Sequence, residues 1–418
     1  MIRSCHPRNE AQRRDAQDSL APLREHFLLP DGKIYLDGNS LGVLPKAVVP
    51  QLQTTVTEEW GKDLISSWNT HGWIDLPQKI GEIIAPLVGA GPGQVLCCDS
   101  ISVNVFKLLS TALALRPGRK TILVEAQDFP TDRYVAEGLV QLLGAQQCCV
   151  KAVARDDLEQ AFTSDVAVLL LSEVNYRTGY RHDMAALTQS AHAVGAMVCW
   201  DVAHSAGAMP IALDEANADF AVGCGYKFLN GGPGSPAFLY VAKRHQNQVS
   251  QPLSGWLGHR RPFDFTSSYQ PADGVVRYQA GTPSVIAMRA LQAALSVFDN
   301  VSLAALRQKS LALTDFFLAC LHDQPGTESF GLLTPTEDPE KRRGSHVAIT
   351  HPQGYAIAQA LIAEGVIVDF RAPDIIRFGF APLYNTFQDA ARAVTILGSI
   401  MTSERYRETQ FQERHKVT

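Results

Sequence analysis

An acid and a lysine, which act together in covalent cofactor chemistry, stand at the ends of two short apolar runs. Asp201 follows Met197-Val-Cys-Trp200, and Lys227 comes shortly after the run from Asp219 to Gly223. Short apolar runs bounded by turn residues are typical of buried strands. In open α/β sheets, ligands bind at the carboxyl ends of the strands. The pattern therefore predicts that the acid and the lysine reach the same edge of one sheet.

This pair fits the chemistry of pyridoxal phosphate (PLP). A lysine holds that cofactor through a Schiff base, and a carboxylate keeps the pyridine nitrogen protonated so that the ring accepts electrons. Alternatively, Asp201 caps a turn and Lys227 is a solvated loop residue. The stretch Asn230-Gly-Gly-Pro-Gly234, just after the lysine, allows backbone to pack close to a ligand. The pair and the glycines together favour PLP binding.

Longer strings around this pair are specific enough to indicate a family. The central ones are Asp201-Val-Ala-His204 and Tyr226-Lys-Phe-Leu-Asn-Gly-Gly-Pro-Gly234. Others are Tyr35-Leu-Asp-Gly-Asn-Ser-Leu-Gly42, Phe129-Pro-Thr-Asp132, Val174-Asn-Tyr-Arg-Thr-Gly-Tyr180, Gln251-Pro-Leu-Ser-Gly-Trp256, Arg343-Gly-Ser-His346 and Arg377-Phe-Gly-Phe380. Through these strings the chain resembles fold-type I PLP enzymes, and specifically the kynureninase family, over most of its length.

The resemblance implies PLP as cofactor and hydrolysis of kynurenine to anthranilate and alanine, a reaction of tryptophan catabolism. The catalytic residues that it implies are Lys227, Asp201 and Tyr226. The implied cofactor contacts are Ile101, Ser102, Phe129, Pro130, Thr131, Asp132, Ser172, Asp201, His204, Tyr226, Lys227, Trp256 and Thr282. The implied substrate contacts are Arg377, Trp68, Gly281 and Asn39. His204 stands where many relatives have a glutamine, and Ser102 where relatives often have a threonine.

The resemblance also implies an assembly. Trp256 and Thr282 match positions that reach the cofactor phosphate from the partner subunit. We therefore expect a homodimer with shared active sites.

Several of these residues have simpler interpretations from the sequence alone. Ser102 is a plausible helix cap and also a candidate contact for a phosphate that free backbone N–H groups bind, and both can hold at once. Phe129 is either a core residue or a ring that stacks on the pyridine. Arg377 lies in an apolar strand and must be paired, either in an internal salt bridge or with a substrate carboxylate. Trp68 is either a core or interface residue or a substrate contact.

The elements that position these residues alternate between strand and helix over residues 66–300. Such alternation predicts an α/β fold with a doubly wound, mainly parallel, seven-stranded sheet. The predicted strands are Gln94–Cys98, Thr121–Glu125, Gln147–Val153, Val166–Leu171, Met197–Trp200, Phe220–Gly223 and Ala237–Val241. The predicted helices are Ser102–Leu115, Asp132–Leu143, Asp156–Phe162 and Met184–Val194.

On either side of this large PLP-binding domain we expect an N-terminal segment, residues 1–65, and a smaller α+β domain, residues 301–418. The N-terminal segment should pack with the small domain. Its predicted elements are a helix over Gln17–Phe27 and a strand over Ile34–Leu36. In the small domain we predict helices over Leu303–His322, Tyr355–Glu364 and Thr386–Met401, and strands over His346–Thr350, Val366–Asp369 and Ile375–Phe378.

Composition excludes several other classes of protein. The 418 residues carry a formal net charge of −5, which gives no reason to expect a nucleic-acid or membrane-surface partner. No apolar run approaches a membrane span, and residues 1–20 lack the apolar core of a signal peptide. We therefore expect a cytoplasmic protein. The eight cysteines lack metal-type spacing, so we expect buried reduced thiols and no metal site.

Two alternatives remain beside the kynureninase interpretation. A cysteine desulfurase or related lyase of the same fold needs a nucleophilic cysteine in the C-terminal domain, and residues 343–349 contain none. A non-catalytic ligand-binding protein predicts the loss of Lys227, Asp201 or Arg377, and all three are present. Within the family interpretation, Trp68 and Gly281 offer no partner to an extra hydroxyl group. We therefore expect kynurenine to be preferred over 3-hydroxykynurenine.

Overall fold

The computed structural model describes residues 7–249 and 251–414. Its strands are β1 (Ile34–Tyr35), β2 (Val95–Cys97), β3 (Thr121–Glu125), β4 (Cys149–Val153), β5 (Val166–Ser172), β6 (Met197–Asp201), β7 (Phe220–Cys224), β8 (Ala237–Val241), β9 (Gly331–Leu332), β10 (His346–Thr350), β11 (Val366–Ile367), β12 (Asp369–Arg371) and β13 (Ile375–Gly379). Its α-helices are α1 (Pro7–Ala16), α2 (Val48–Thr54), α3 (Ser67–Thr70), α4 (Leu76–Ile84), α5 (Ile101–Leu115), α6 (Pro130–Leu143), α7 (Met184–Ala193), α8 (Val285–Leu295), α9 (Leu303–Asp323), α10 (Pro339–Arg342), α11 (Gly354–Ala363) and α12 (Phe387–Thr402).

The large domain is built on a seven-stranded sheet in the order β2-β8-β7-β6-β5-β3-β4. Strands β7, β6, β5, β3 and β4 are parallel, and β8 is antiparallel to both of its neighbours. Each strand lies within two residues of its predicted bounds. The predicted mainly parallel α/β sheet is therefore confirmed.

Both faces of this sheet are buried, because successive side chains of a strand point to opposite faces. In β5, Val168 and Leu170 join the hydrophobic cluster that contains Leu108 of α5, whereas Leu169 and Leu171 join the cluster that contains Ile80 of α4. This explains why the whole of β5 is apolar except for its last residue. Within the described part of the chain, the helices are too short or too polar to cross a membrane.

The C-terminal residues form a second sheet with its own hydrophobic cluster. Strands β12, β13, β10 and β9 are hydrogen-bonded in that order, and all their pairings are antiparallel. Residues from α9, α11 and α12 pack against this sheet in one cluster, which includes Phe317, Ile357 and Leu397. The arginine that the sequence singled out, Arg377, lies in the middle strand β13.

Residues 7–65 contact both domains. β1 pairs in parallel with β11, and α1 packs against α12. Leu20, Phe27 and Val43, in contrast, join the cluster of the large domain.

Two predicted helices are wrong. Residues Gln17–Phe27 contain a 3-10 helix over Ala21–His26, and the α-helix of this region is α1, farther toward the N-terminus. Pro22 lacks the N–H that a longer helix would need at that position. Residues Asp156–Phe162 form short 3-10 turns, because so short a segment does not recover the cost of starting an α-helix.

The predicted strand Val366–Asp369 is two strands that belong to different sheets. β11 pairs with β1, and β12 begins at Asp369 and pairs with β13. Asp369 lies directly opposite Arg377 in that pairing. The break between the two strands therefore brings an acid beside the buried arginine.

Candidate active site

The parallel strands of the large sheet deliver the predicted acid and lysine to one edge. Asp201 is the last residue of β6 and is in register with Ser172, the last residue of β5. Lys227 follows the end of the neighbouring parallel strand, β7, by three residues. The predicted meeting of these side chains at a carboxyl edge is therefore observed.

The Lys227 amine lies among aromatic and imidazole rings. Its Nζ atom is 3.0 Å from Nε2 of His204, and 5.9 Å and 6.0 Å from the ring centroids of Phe129 and Tyr226. Burial, with the nearby Lys227 charge, lowers the pKa of His204 well below its usual value. His204 is therefore a neutral ring, and its Nδ1 atom has no hydrogen-bond partner among the described residues.

Two buried carboxyl groups face this edge. Asp201 accepts a hydrogen bond from the backbone N–H of Ala203 at 2.7 Å. Burial raises the pKa of Asp201, while the charge of Lys227 opposes that rise. Burial and the neighbouring Asp201 raise the pKa of Asp132 well above its usual value. Both Asp132 oxygens lack a hydrogen-bond partner in the described chain.

Phe129, Pro130, Thr131 and Asp132 are held together at the start of α6. Phe129 is the residue before the helix, and the other three form its first turn. Asp128 accepts hydrogen bonds from the N–H groups of Phe129 and Ser172, at 2.8 Å and 2.7 Å, and so ties this turn to the end of β5. Burial raises the pKa of Asp128 to about 6.

A helix N-terminus lies near the same edge. Helix α5 starts with Ile101 and Ser102, and its first N–H groups have no partner within the helix. Ser100, rather than Ser102, is the N-cap, because the Ser100 hydroxyl accepts from the N–H of Val103. The simpler interpretation of Ser102 as a cap is thus wrong, and its hydroxyl is left available to a ligand.

Tyr226 precedes the lysine and is partly buried. Burial raises the pKa of its phenol above the ordinary value, with a smaller contribution from Cys224. The Tyr226 side chain therefore keeps its proton at neutral pH.

Trp256, Gly281 and Thr282 lie on neighbouring stretches of one loop region. The N–H of Leu257 donates to the carbonyl oxygen of Ala280, which brings the two stretches together. Gly281 and Thr282 line a cavity of about 270 Å³ with Asp99 of the turn before α5. Among the described residues, Trp256 makes no hydrogen bond or ring contact with Lys227.

Trp68 packs edge-to-face on Trp73, with ring centroids 6.0 Å apart. It is partly buried against the large hydrophobic cluster. This is the core contact that the simpler interpretation expects.

Arg377 extends from the middle strand of the small sheet and is almost fully buried. Its Nε atom donates to Asp369 Oδ1 at 2.7 Å, and its Nη2 atom also contacts Asp369. Its Nη1 atom donates to the carbonyl oxygen of Tyr176 at 2.6 Å, which links the small domain to the large one. The internal salt bridge that the sequence allowed is therefore present.

Asn39 lies against the same strand. It is fully buried, and its side-chain amide has no partner among the described residues. Gly379 makes room for it, because a Cβ atom on that glycine would stand 1.8 Å from Asn39 Oδ1.

Three polar residues near the site were not assigned from the sequence. They are Asp369 and His346, which are buried, and Asp37, which is partly buried. His346 lies next to His204, with ring centroids 5.7 Å apart, and neither of its ring nitrogens has a partner in the described part of the chain. The sequence indicated that a buried Arg377 needs a partner. It did not give the register in which β12 pairs with β13, and only that register identifies Asp369 as the partner. His346 and Asp37 lay inside sequence motifs that were recognised, but neither residue was given a role in the site.

This set of residues fits PLP. It offers a partly buried lysine amine, an aromatic face at Phe129, and a helix N-terminus for a phosphate. The two unpartnered oxygens of buried Asp132, beside Asp201, require a polar or cationic group of a ligand to satisfy them. PLP carries such polar groups, and Asp201 beside Asp132 offers the carboxyl group that a protonated pyridine nitrogen needs.

Comparison with known proteins identifies sequence relatives over nearly the full length. Residues 306–397 match the family model described as the kynureninase C-terminal domain. The chain is 48% identical over 415 residues to the kynureninase of Pseudomonas fluorescens, covering 98% of this chain and 99% of that one. It is 47% identical to a kynureninase of Burkholderia pseudomallei, with the same coverage.

Similar solved structures are more distant in sequence. The apo cysteine desulfurase of Thermococcus onnurineus superposes with a TM-score of 0.75 at 18% identity, covering 91% of this chain and 98% of that one. A C-DES mutant with glycine covalently linked to its PLP cofactor has a TM-score of 0.76 at 17% identity, covering 90% and 98%. At these identities the likeness concerns the fold alone.

Proposed function

Because the chain belongs to the kynureninase family, we propose that its site hydrolyses kynurenine to anthranilate and alanine, with PLP carried by Lys227. The observation that carries this proposal is the full-length match at 48% identity. The site agrees with it, since Lys227, Asp201 and Arg377 are all retained and buried or partly buried in one region.

Each residue has a role that its surroundings support. When bound, PLP supplies an electron sink for negative charge that develops at the substrate α-carbon. Asp201 holds a proton at the ring nitrogen. Lys227 Nζ carries the α-proton of the substrate, and the Tyr226 phenol, which stays protonated, donates a proton in later steps. His204, a neutral ring, contacts the cofactor beside Lys227.

Substrate binding is assigned to residues of the small domain, of the N-terminal segment and of the large domain. Arg377 binds the α-carboxylate through its planar fork. Asn39, with its unpartnered amide, lies next to this strand and contacts the same part of the substrate. Trp68 and Gly281 line the side that receives the substrate ring.

The cysteine desulfurase alternative is not favoured. The similar solved structures of that activity share only the fold with this chain. The sole cysteine after residue 301 is Cys320, which is buried within α9 rather than placed on a loop. A persulfide cannot form on a thiol that no substrate reaches.

A substrate comparison tests the function. Given kynurenine, 3-hydroxykynurenine and cysteine separately, the protein should release anthranilate and equimolar alanine from kynurenine, read by fluorescence and amino-acid analysis. The 3-hydroxy substrate should react more slowly, because an unpaired hydroxyl costs roughly 1–3 kcal/mol. Sulfide from cysteine at a comparable rate, without anthranilate from kynurenine, contradicts the proposal.

The site is proposed to be completed by a second copy of the chain. Trp256 is 37% exposed and clusters with Phe263 and Phe265, which are 61% and 76% exposed. Contiguous exposed apolar groups of this kind mark protein–protein contacts. We assign this aromatic cluster to the interface of a homodimer, in which Trp256 and Thr282 reach the phosphate site of the partner.

Complementation between two inactive variants tests the shared site. Lys227→Ala lacks the lysine, and Trp256→Ala/Thr282→Ala lacks the groups offered to its partner. A mixed dimer restores one of its two sites, so activity should reappear on mixing and re-dimerisation. Mixing Lys227→Ala with Asp201→Asn is the matched control and should stay inactive. Each subunit supplies both residues to its own site, so each site of the mixed dimer keeps one defect. Mixed dimers that form without any activity contradict the shared site.

Domain boundaries and location complete the proposal. We retain the division into an N-terminal segment (1–65), a large PLP-binding domain (66–300) and a small domain (301–418), which the separate hydrophobic clusters support. A cytoplasmic location is supported by the seven free cysteines of the described residues, six of them buried.

A further inference from the structure

The guanidinium of Arg377 has two edges that can bind a carboxylate. In the structure, a negatively charged group occupies one of these edges. A guanidinium has five N–H donors in a planar fork. Asp369 occupies the edge formed by Nε and Nη2. Among the described residues, the end formed by Nη1 and Nη2 contacts only neutral acceptors, the Tyr176 carbonyl at 2.6 Å and the Ser40 hydroxyl at 3.2 Å. A substrate carboxylate can replace these neutral acceptors while Asp369 keeps its edge.

Charge balance makes Arg377 by itself a weak anion site. Arg377 and Asp369 together are neutral, and a neutral buried pair attracts a second carboxylate poorly. Arg371 changes this balance, because its Nη2 atom lies 2.8 Å from Oδ2 of Asp369. The Arg371 side chain is 38% exposed and reaches this carboxylate from the solvent side. Two arginines and one aspartate leave one net positive charge.

We propose that the substrate carboxylate is bound by a two-arginine site in which Asp369 positions Arg377 and Arg371 supplies the net positive charge. The inference rests on the proposed function, since it extends the role given to Arg377. The strand register supports it: Asp369 lies opposite Arg377, and Arg371 follows on the same face two residues later. Ser40 donates to Asp369 at 2.7 Å and fixes the carboxylate from the N-terminal segment.

Asp37 brings a second carboxyl group to this site, because its backbone forms a bridge with Gly379 at the end of β13 and its Oδ1 atom is buried without a hydrogen-bond partner among the described residues. Its ionisation makes the charge of the site depend on pH. Tyr35 and Ser40 of its own segment, Asp369 and Arg371 of β12, Arg377 of β13 and Tyr384 face it. Burial, with the charge of Asp369, raises the pKa of Asp37 to about 7. Below that pH Asp37 is neutral and the site keeps its positive charge. Above it Asp37 is ionised, the net charge falls to zero, and carboxylate binding weakens.

The test measures how strongly the holoenzyme prefers a carboxylate. Visible-absorbance titration gives the dissociation constants of L-alanine, the expected product, and of L-alaninamide, which lacks the carboxylate. The ratio of the amide constant to the acid constant is the carboxylate preference. At pH 6.5 we expect Arg371→Met to lower this preference about tenfold, because one unit charge near the ligand is lost. Arg371→Lys, which restores the charge, should stay within about threefold of the wild type.

Control variants separate this inference from the function on which it rests. Arg407→Met removes an exposed arginine–carboxylate pair of the same domain and should leave the preference unchanged. If Arg377→Met leaves the preference unchanged, the proposed role of Arg377 itself is wrong. If Arg377→Met lowers it while Arg371→Met matches the wild type, the two-arginine site alone is overturned.

The pH dependence of the carboxylate preference tests the role of Asp37. A purely structural role of Asp37 would not change this dependence. The wild-type preference should fall as pH rises from 6 to 8, and the fall should be smaller in Asp37→Asn, which stays neutral. The amine of the amide titrates equally in both proteins, so the difference between the two profiles isolates Asp37. Identical profiles overturn the assignment of the charge switch to Asp37.

Discussion

Replacing Lys227 by glutamine should reduce kynurenine turnover by roughly four orders of magnitude, since the residue both holds the cofactor and carries the substrate α-proton. The change removes an amine that lies 3.0 Å from His204 in a largely buried site, and glutamine cannot replace either function. Purified wild-type protein should be yellow. Borohydride should bleach that colour and fix PLP to the chain, whereas the glutamine variant should retain no covalent PLP.

Mapping of the reduced protein decides this assignment. Digestion and mass spectrometry should place the adduct on the peptide that contains Lys227. Lys79→Gln, which changes a lysine that is 55% exposed, is the control and should keep colour and turnover. An adduct on any other lysine, or near-normal turnover in the Lys227 variant, contradicts the proposed site.

Replacing Asp201 by asparagine should lower turnover by about 100- to 1000-fold while the fold survives. Asparagine keeps an oxygen that can accept the hydrogen bond from Ala203, so the turn after β6 remains satisfied. It lacks the negative charge that holds a proton at the ring nitrogen. Turnover should therefore fall much more than cofactor affinity, which absorbance titration with PLP measures independently.

Asp219→Asn is a matched control for this change. Asp219 is also a buried carboxylate beside a strand of the large sheet, and it accepts hydrogen bonds from His192, His245 and Arg244. It precedes β7, at the opposite end of that strand from Lys227. Its replacement should lower stability but leave turnover per folded holoenzyme near the wild-type value. Equal turnover losses in the two variants point to a loss of folding rather than to a charge at the cofactor.

The sequence by itself determined the large sheet and the residues at its carboxyl edge. Each strand is a short apolar run bounded by turn residues, so its bounds depend on local pattern. That pattern predicted strands ending at Leu171 and Trp200, one residue before the observed ends at Ser172 and Asp201. Helices α5, α6 and α7 were equally clear, since their apolar periodicity extends over several turns, whereas the 11-residue helix α8 (Val285–Leu295) was not predicted. The resemblance to kynureninases added the identities of the cofactor and substrate.

Short elements were decided by packing rather than by local preference. Residues Gln17–Phe27 have apolar side chains at helical spacing, yet Pro22 and the contacts of Leu20 and Phe27 with the large domain produce only a 3-10 helix. Ser100 rather than Ser102 caps α5, two residues earlier, just after the left-handed backbone of Asp99, with φ near 50°, turns the chain.

The substrate-carboxylate site depended most on tertiary structure. From the sequence, Arg377 required a buried partner, but four different segments supply its surroundings: Ser40, Tyr176, β12 and β13 itself. The break between β11 and β12 sets Asp369 opposite Arg377, and a one-residue shift in that register would turn Asp369 to the other face of the sheet. Local pattern carries no information about such a register. The sequence therefore determined which arginine is buried, and only the tertiary structure decided that a second arginine and two carboxyl groups share its charge.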